Sequence, residues 1–166
     1  MVEKEYRAKY RAKYYEVVDE LSELIKKFYG EKLVSLAIFG SVARDTFRPD
    51  SDIDLLIVVE NAPKSRVERV IQFEENVEEK LNRKFRELSS EGIYPVISPL
   101  IKTKDEVKLG SPVFIEMTES VKIIYDRNDF LKNYLENLKR KLDEQGAKKI
   151  IFKGSYYWLL KPDSKA

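Results

Sequence analysis

The sequence predicts a mixed α/β (α+β) fold in which one β-sheet is flanked by helices. Segments whose apolar residues recur at three- and four-residue steps alternate with short apolar runs, and these patterns are typical of helices and buried strands. Hydrophobic residues make up 43% of the 166 residues, which is enough to fill one buried core. We therefore expect a single domain over residues 1–166, with the order α-β-β-α-β-α-β-α-β.

The first predicted element is a helix over residues 3–29, which ends at Gly30. Its apolar face contains Tyr10, Tyr14, Val17, Leu21, Leu24, Ile25 and Phe28. The repeat YRAKYRAKY stacks Tyr6, Tyr10 and Tyr14 on one side of this helix. We expect these rings to dock on the domain, and a basic surface on which nucleobases stack is the alternative.

Four apolar segments in the core, residues 33–126, predict its strands. They lie at 33–40, 53–59, 93–101 and 121–126. The first two read as buried strands because their runs are almost entirely apolar. Pro95 and Pro99 either place the third strand at an edge of the sheet or break it, since proline cannot donate a backbone hydrogen bond.

Two helices are predicted within the same core segment. Residues 64–88 read as one long helix. Its apolar face contains Val67, Val70, Ile71, Val77, Leu81, Phe85 and Leu88. A short helix over 111–120 follows the third strand, with Ser111 as its cap and Pro112 at its first position.

The C-terminal segment, 128–166, is predicted to contain a helix over 128–144 and a hairpin-like tail. The inward face of the helix contains Leu131, Tyr134, Leu135, Leu138 and Leu142. The tail is expected to turn near Gly154 and Ser155. Its lysines and aromatic rings either close the domain as a packed hairpin or form a surface for RNA.

The composition narrows the classes of function. Acidic and basic residues nearly cancel and leave a net charge of +2, which argues against a strongly basic coat for nucleic acid. The chain has no cysteine and no histidine, so metal ligands must come from carboxylates and other oxygens, which suit Mg²⁺ or Mn²⁺. No apolar run is long enough to cross a membrane, and we expect a cytoplasmic protein. Abundant glutamate and lysine without cysteine are typical of a thermophile.

Two aspartates stand at the start of the second predicted strand, in the stretch FGSVARDTFRPDSDIDLLIVVE. Side chains at positions i and i+2 of a strand point to the same face, so Asp52 and Asp54 present their carboxylates side by side. Two such charges repel each other unless a cation lies between them. A divalent metal site is one interpretation, and a strand end that is solvated or paired with Arg44 or Arg48 is the other.

A turn just upstream has the composition of a phosphate site. Gly40 permits a sharp exit from the first strand and a close approach of a ligand to the backbone. Ser41 offers a hydroxyl and an N–H at the start of a predicted short helix, SVARD, whose N-terminus favours anions. Arg44 lies within reach of the same phosphates, and a surface ion pair with Asp45 or Asp50 is its alternative role.

Taken together, these residues resemble the signature of the DNA polymerase beta-like nucleotidyltransferase superfamily. That signature is an apolar strand, Gly-Ser, a short helix and Asp-x-Asp at the start of the next strand, here Gly40, Ser41, Asp52 and Asp54. The layout is most similar to small prokaryotic nucleotidyltransferases, and the tail from Tyr156 to Asp163 resembles that of an archaeal group.

The resemblance implies a function and a set of roles. The protein would transfer a nucleoside monophosphate from a triphosphate to an acceptor hydroxyl of a protein, a small molecule or an RNA end. Gly40 and Ser41 would bind the triphosphate, and Asp52 and Asp54 would hold catalytic Mg²⁺ or Mn²⁺. The alternative is a regulatory module that binds nucleotide without turnover, such as an antitoxin-like partner of a small helical protein.

One expected feature of the family is missing from the predicted strands. Active members add a third carboxylate from a later strand, which corresponds here to YPVISPLI, and this strand contains no acid. Ser98 is its nearest polar group. Glu116, in the following helix, is a candidate third ligand, and a solvated helix position is its other interpretation.

Overall fold

The computed structural model describes residues 1–146, 148–152 and 155–159, and its main feature is a four-stranded mixed sheet. The strands are β1 (Leu33–Phe39), β2 (Asp52–Val59), β3 (Val96–Thr103) and β4 (Lys122–Asp126), in the order β3-β2-β1-β4. β1 is antiparallel to both β2 and β4, whereas β3 is parallel to β2. The predicted mixed α/β class is therefore confirmed, and β3 lies at an edge, as its prolines predicted.

Seven α-helices accompany this sheet within the described residues. They are α1 (Val2–Tyr29), α2 (Gly40–Ala43), α3 (Arg66–Asn76), α4 (Asn82–Ser90), α5 (Lys104–Leu109), α6 (Pro112–Met117) and α7 (Phe130–Glu144). Two further strands, β5 (Lys148–Phe152) and β6 (Ser155–Leu159), pair as an antiparallel hairpin. The predicted hairpin is confirmed, although Gly154 and the residues after Leu159 lie outside the described part. No helix in the described residues is long and apolar enough to span a membrane.

Helix α1 docks on the domain through its tyrosines, as predicted. The Tyr14 side chain is fully buried, and its hydroxyl donates a hydrogen bond to the Ser51 carbonyl at 2.8 Å. The Tyr10 hydroxyl reaches the Phe47 carbonyl at 3.4 Å, and the Tyr14 and Phe47 ring centroids are 4.7 Å apart. These contacts hold the loop between α2 and β2, which connects the Gly-Ser turn to the aspartates at the start of β2.

The two faces of the sheet pack against different helices. Ile53, Leu55 and Ile57 of β2 belong to the core cluster formed with α1 and α3. Leu56 and Val58 belong to a second cluster, which includes residues of α5, α6 and α7. Because side chains alternate along a strand, the even-numbered positions of β2 face α6. Asp52 and Asp54 occupy even-numbered positions, so α6 is the helix that lies beside them.

The predicted helix over 64–88 is wrong, because the chain forms two helices there. Val77 leaves helical geometry (φ −124°, ψ −64°), and a 3-10 turn over Glu78–Leu81 separates α3 from α4. The predicted face is also wrong at its start, since Val67 and Ile71 are exposed and Arg69 is buried. The kink lets Val77 pack into the core, and this gain in burial overrides the regular helical period.

Smaller differences concern the ends of elements. β3 begins three residues later than predicted and continues to Thr103, where a helix that the sequence did not indicate, α5, follows directly. Thr103 caps α5 through a reciprocal capping box with Glu106. α6 is shorter than predicted; it begins at Pro112 as expected, and Ser111 stands at its N-cap without a side-chain capping hydrogen bond. α7 begins at Phe130, after a 3-10 turn.

Candidate active site

Asp52 and Asp54 open β2 on the face that α6 covers. Asp52 is exposed and Asp54 is half-buried, while Ile53 between them is fully buried on the other face. The side-by-side arrangement predicted from the sequence is therefore present. Among the described residues, neither aspartate forms an ion pair, since the nearby arginines contact other acids. The alternative in which Arg44 or Arg48 pairs with these aspartates is wrong, whereas a solvated strand end stays an alternative interpretation because Asp52 is exposed.

The surroundings of Asp54 disfavour its charged form. Burial raises the pKa of the Asp54 carboxyl above its ordinary value, and the charge of Asp52 raises it further. The charge of Glu116 acts in the same direction, whereas Arg44 partly opposes the shift. Two adjacent carboxylates, one of them half-buried, form a set of hard oxygen donors that fits Mg²⁺ or Mn²⁺.

Gly40 brings the turn after β1 into contact with Asp54. Its φ of +70° lies in the left-handed region that favours glycine. A Cβ added to Gly40 would overlap the Asp54 Oδ2 atom and lie 3.2 Å from its Cγ. Both the backbone conformation and the available space therefore require glycine. The contact places the half-buried carboxylate directly against the predicted phosphate turn.

Helix α2 is a single turn, shorter than the predicted SVARD helix. Arg44 follows it, and Asp45 ends it in the left-handed conformation with φ of +58°. So short a helix has little macrodipole, and the donors available to an anion are the Ser41 and Arg44 groups themselves. The alternative prediction, an ion pair between Arg44 and Asp45, is wrong.

Asp45 instead ties the turn to neighbouring elements. It accepts a hydrogen bond from the Tyr15 hydroxyl of α1. It also pairs with Arg11 at 3.5 Å and with Lys122 of β4 at 3.6 Å. These contacts hold the end of α2 from two sides and leave Arg44 to point elsewhere.

Arg44 contacts Glu116 of α6, and its Nη1 atom donates a hydrogen bond to Glu116 Oε1 at 3.0 Å. The two residues are 72 positions apart, and their side chains are 35% and 31% exposed. The sequence named both residues as site candidates but did not pair them. The pairing with Asp50 is also wrong, because Asp50 lies 3.8 Å from Arg48.

One open cavity of about 400 Å³ contains all the predicted site residues. It is lined by Gly40, Ser41, Arg44, Arg48, Asp50, Ser51, Asp52, Asp54 and Glu116. Sequence reasoning missed Ser51 as part of this cavity and treated Arg48 and Asp50 only as surface partners. The signal available was the polar run RPDSD immediately before β2, which has to cross the mouth of the site.

The third carboxylate is not on β3. In the parallel register, Val96 lies beside Asp52 and Ser98 lies beside Asp54, so the strand presents no acid at either position. Within the described part of the chain, no three acidic side chains are placed to hold one metal ion together. Glu116 lines the cavity but is engaged with Arg44.

Comparison with known proteins places these residues in a wider group. Residues 16–108 match the family described as nucleotidyltransferase domain. A protein of Methanocaldococcus jannaschii, named as a candidate protein adenylyltransferase, is 35% identical over 128 residues, covering 74% of this chain and 79% of the relative.

Solved structures of toxin–antitoxin complexes are more distant. One determined with AMP-PNP is 14% identical, with a TM-score of 0.46 over 77% of this chain and 91% of that chain. Another contains a tri-AMPylated HEPN toxin and the MNT antitoxin of Shewanella oneidensis, at 12% identity and a TM-score of 0.40, covering 82% and 92% of the two chains.

Proposed function

The chain belongs to the nucleotidyltransferase domain family, and we propose that it transfers a nucleoside monophosphate from a triphosphate to an acceptor hydroxyl. The observation that carries this proposal is the convergence of Asp52 and Asp54 with Ser41 and Arg44 in one cavity. The Methanocaldococcus jannaschii relative supports ATP as the donor and a protein as the acceptor. Mg²⁺ or Mn²⁺ is the proposed cofactor.

The residues of the cavity divide between donor and acceptor. Ser41 and Arg44 bind the phosphates, with the planar guanidinium of Arg44 suited to two oxygens at once. Asp54 lies against Gly40 and Asp52 is exposed, so we assign Asp54 to the phosphate side and Asp52 to the acceptor side. Both aspartates hold the metal, which when bound supplies Lewis-acid stabilisation of the phosphoryl charge.

The bond changes of the proposed reaction are those of a substitution at the α-phosphorus. The acceptor oxygen forms a bond to this phosphorus while the bond to the bridging oxygen breaks, and pyrophosphate leaves with the bonding electrons. The acceptor hydroxyl loses its proton to solvent or to a carboxylate of the site. Arg44 and Ser41 hold the phosphates in place, so the attacking and leaving oxygens stay in line.

The test is transfer of label from α-labelled ATP, GTP, CTP and UTP in the presence of Mg²⁺ or Mn²⁺. Asp52→Asn and Asp54→Asn should each lower pyrophosphate release by about a hundredfold or more, because each removes a metal ligand. Asp143→Asn, an exposed substitution on α7, is the matched control. If the two site variants retain the rate of this control, the assignment of the aspartates is wrong.

A regulatory module that binds nucleotide and a protein partner without turnover is the second candidate. The observation that favours it is the presence of Val96 and Ser98 where β3 passes the aspartates, since neither supplies a carboxylate. Calorimetric titration with ATP and Mg²⁺ separates the two candidates. Binding that requires Asp52 and Asp54 but is never followed by pyrophosphate release, across protein, RNA and small-molecule acceptors, would identify the regulatory module.

A further inference from the structure

Glu116 is the acid best placed to complete the site, because α6 covers the face of the sheet on which the aspartates lie. The even-numbered positions of β2 pack into the cluster that contains Phe114 and Met117 of α6. Glu116 lies between these two anchors and lines the same cavity as Asp52 and Asp54. The position of the helix, rather than the third strand, therefore brings another carboxylate to the site.

The contact that holds Glu116 is one that a nucleotide would break. A single hydrogen bond of 3.0 Å joins Arg44 Nη1 to Glu116 Oε1, and both side chains keep about a third of their surface in solvent. Exposed pairs of this kind are weak and exchange readily. A triphosphate carries more negative charge than one carboxylate and offers the guanidinium paired oxygens, so it should win this competition for Arg44.

We propose that Glu116 exchanges partners on nucleotide binding, leaving Arg44 to the phosphates and joining Asp52 and Asp54 as the third carboxylate of the metal site. This inference rests on the proposed function and deepens it. It accounts for a strand β3 without acids, because the missing ligand comes from α6. It also accounts for the separation of the three acids without nucleotide, since Arg44 then holds Glu116 away.

The other acid of the cavity is a poorer candidate for this role. Asp50 belongs to the loop before β2, its side chain is 68% exposed, and it lies beside Arg48. Glu116, by contrast, extends from a helix anchored by two fully buried side chains, Phe114 and Met117, and this helix holds it beside the cavity that it lines.

The experiment counts Mn²⁺ ions bound to the full chain by electron paramagnetic resonance, with and without a non-hydrolysable ATP analogue. Glu116→Gln keeps the size of the side chain and removes its charge. Glu119→Gln, an exposed position one turn later, makes the same change in net charge and is the matched control. Circular dichroism and the thermal midpoint check that both variants are folded.

If Glu116 exchanges partners, the loss of Mn²⁺ binding in Glu116→Gln should depend on the nucleotide analogue. With the analogue, Glu116→Gln should bind one Mn²⁺ fewer than the wild type, or bind its last ion about tenfold more weakly. Without the analogue, it should match Glu119→Gln. Equal Mn²⁺ binding by the two variants in both states would overturn the inference, and an equal loss in both states would make Glu116 a standing ligand and overturn the exchange.

Arg44→Gln tests the release step directly. Without nucleotide this variant frees Glu116, so Mn²⁺ should bind more tightly than in the wild type. Part of that gain comes from removing a positive charge, and the double variant Arg44→Gln with Glu116→Gln isolates the rest. If the double variant retains the whole gain, Glu116 has no part in it and the exchange is wrong. Unchanged Mn²⁺ affinity in Asp52→Asn and Asp54→Asn would instead refute the proposed function.

Discussion

Arg44 and Arg69 both bind a glutamate, but Arg69 is buried and Arg44 is partly exposed. The Arg69 side chain is 7% exposed, and its Nη1 atom contacts both oxygens of Glu106, at 2.8 and 3.2 Å. The same guanidinium donates to the carbonyls of Pro63 at 2.6 Å and Ile101 at 3.0 Å. Within the described part of the chain, the Arg44 guanidinium makes one hydrogen bond, to Glu116, in an open cavity.

The difference separates a structural pair from an exchangeable one. Arg69 ties α3 to the end of β3 and to α5, and its partner Glu106 also accepts a hydrogen bond from the Thr103 N–H at 3.0 Å. A ligand that displaced Arg69 would leave its buried guanidinium and the Pro63 and Ile101 carbonyls unpaired, which is costly. Displacing Arg44 from Glu116 leaves both groups in contact with water. The second pair is therefore the one that a ligand can displace at low cost.

The largest expected effect on stability is at the Arg69–Glu106 pair, whose arginine is buried. Arg69→Met should lower the free energy of unfolding by about 3 kcal/mol or more, because it leaves Glu106 and two carbonyls without their donor. Urea unfolding followed by circular dichroism measures the change. Arg66→Met, on the exposed first turn of α3, is the control. A loss close to that of the control would mean that the pair is not structural.

A smaller effect on stability, with a large one on function, is expected at the turn beside Arg44. Gly40→Ala should cost about 1–2 kcal/mol through its positive φ and displace the Asp54 carboxylate. Gly30→Ala is a matched control, since Gly30 also has a positive φ but open space around its Cβ position. Nucleotide–Mg²⁺ affinity, measured by calorimetry, should fall only in the first variant. Equal affinities would show that the contact with Asp54 is dispensable.

The Arg69–Glu106 pair should also make stability depend on pH. Burial opposes ionisation of Glu106, but hydrogen bonds from Thr103 and Arg69 outweigh it and hold the pKa of this carboxyl below its ordinary value of 4.5. The folded state therefore binds the proton less tightly than the unfolded state. The contribution of Glu106 is present above pH 4.5 and is lost as the pH falls through the folded-state pKa.

Glu106→Gln tests this dependence, because glutamine cannot titrate. Unfolding free energies measured from pH 6 down to about pH 3 should fall less steeply in the variant than in the wild type. Asp105→Asn, the exposed neighbour, should leave the slope nearly unchanged. Parallel slopes in Glu106→Gln and the wild type would contradict the assignment.

The smallest change in stability is expected at the exchangeable pair. Arg44→Gln should alter the free energy of unfolding by less than about 1 kcal/mol, as exposed pairs usually do. Its affinity for ATP should nevertheless fall by about tenfold or more, because a charged hydrogen bond to phosphate is lost. Chemical denaturation and calorimetry of the same preparation give both values. A stability loss as large as that of Arg69→Met would remove the distinction between the pairs.

Much of this architecture could be predicted from short stretches of sequence. The strands of the core, the docking of α1 and the hairpin followed from periodicity and turn residues, which report local conformation. The break at Val77 could not be predicted, because the gain comes from burial against the rest of the core. The burial of Arg69 was equally hidden, since its four acceptors come from Pro63, Ile101 and Glu106.

The features of the candidate site also divide into those that local sequence sets and those that tertiary packing sets. The sequence by itself determined that Asp52 and Asp54 share a face and that a Gly-Ser turn precedes them, because alternation along a strand and the conformational freedom of glycine are local properties. Only the tertiary structure decided that Asp54 touches Gly40 and that Glu116 reaches Arg44. Those contacts depend on strand register and on the packing of α6, which join residues far apart in the chain.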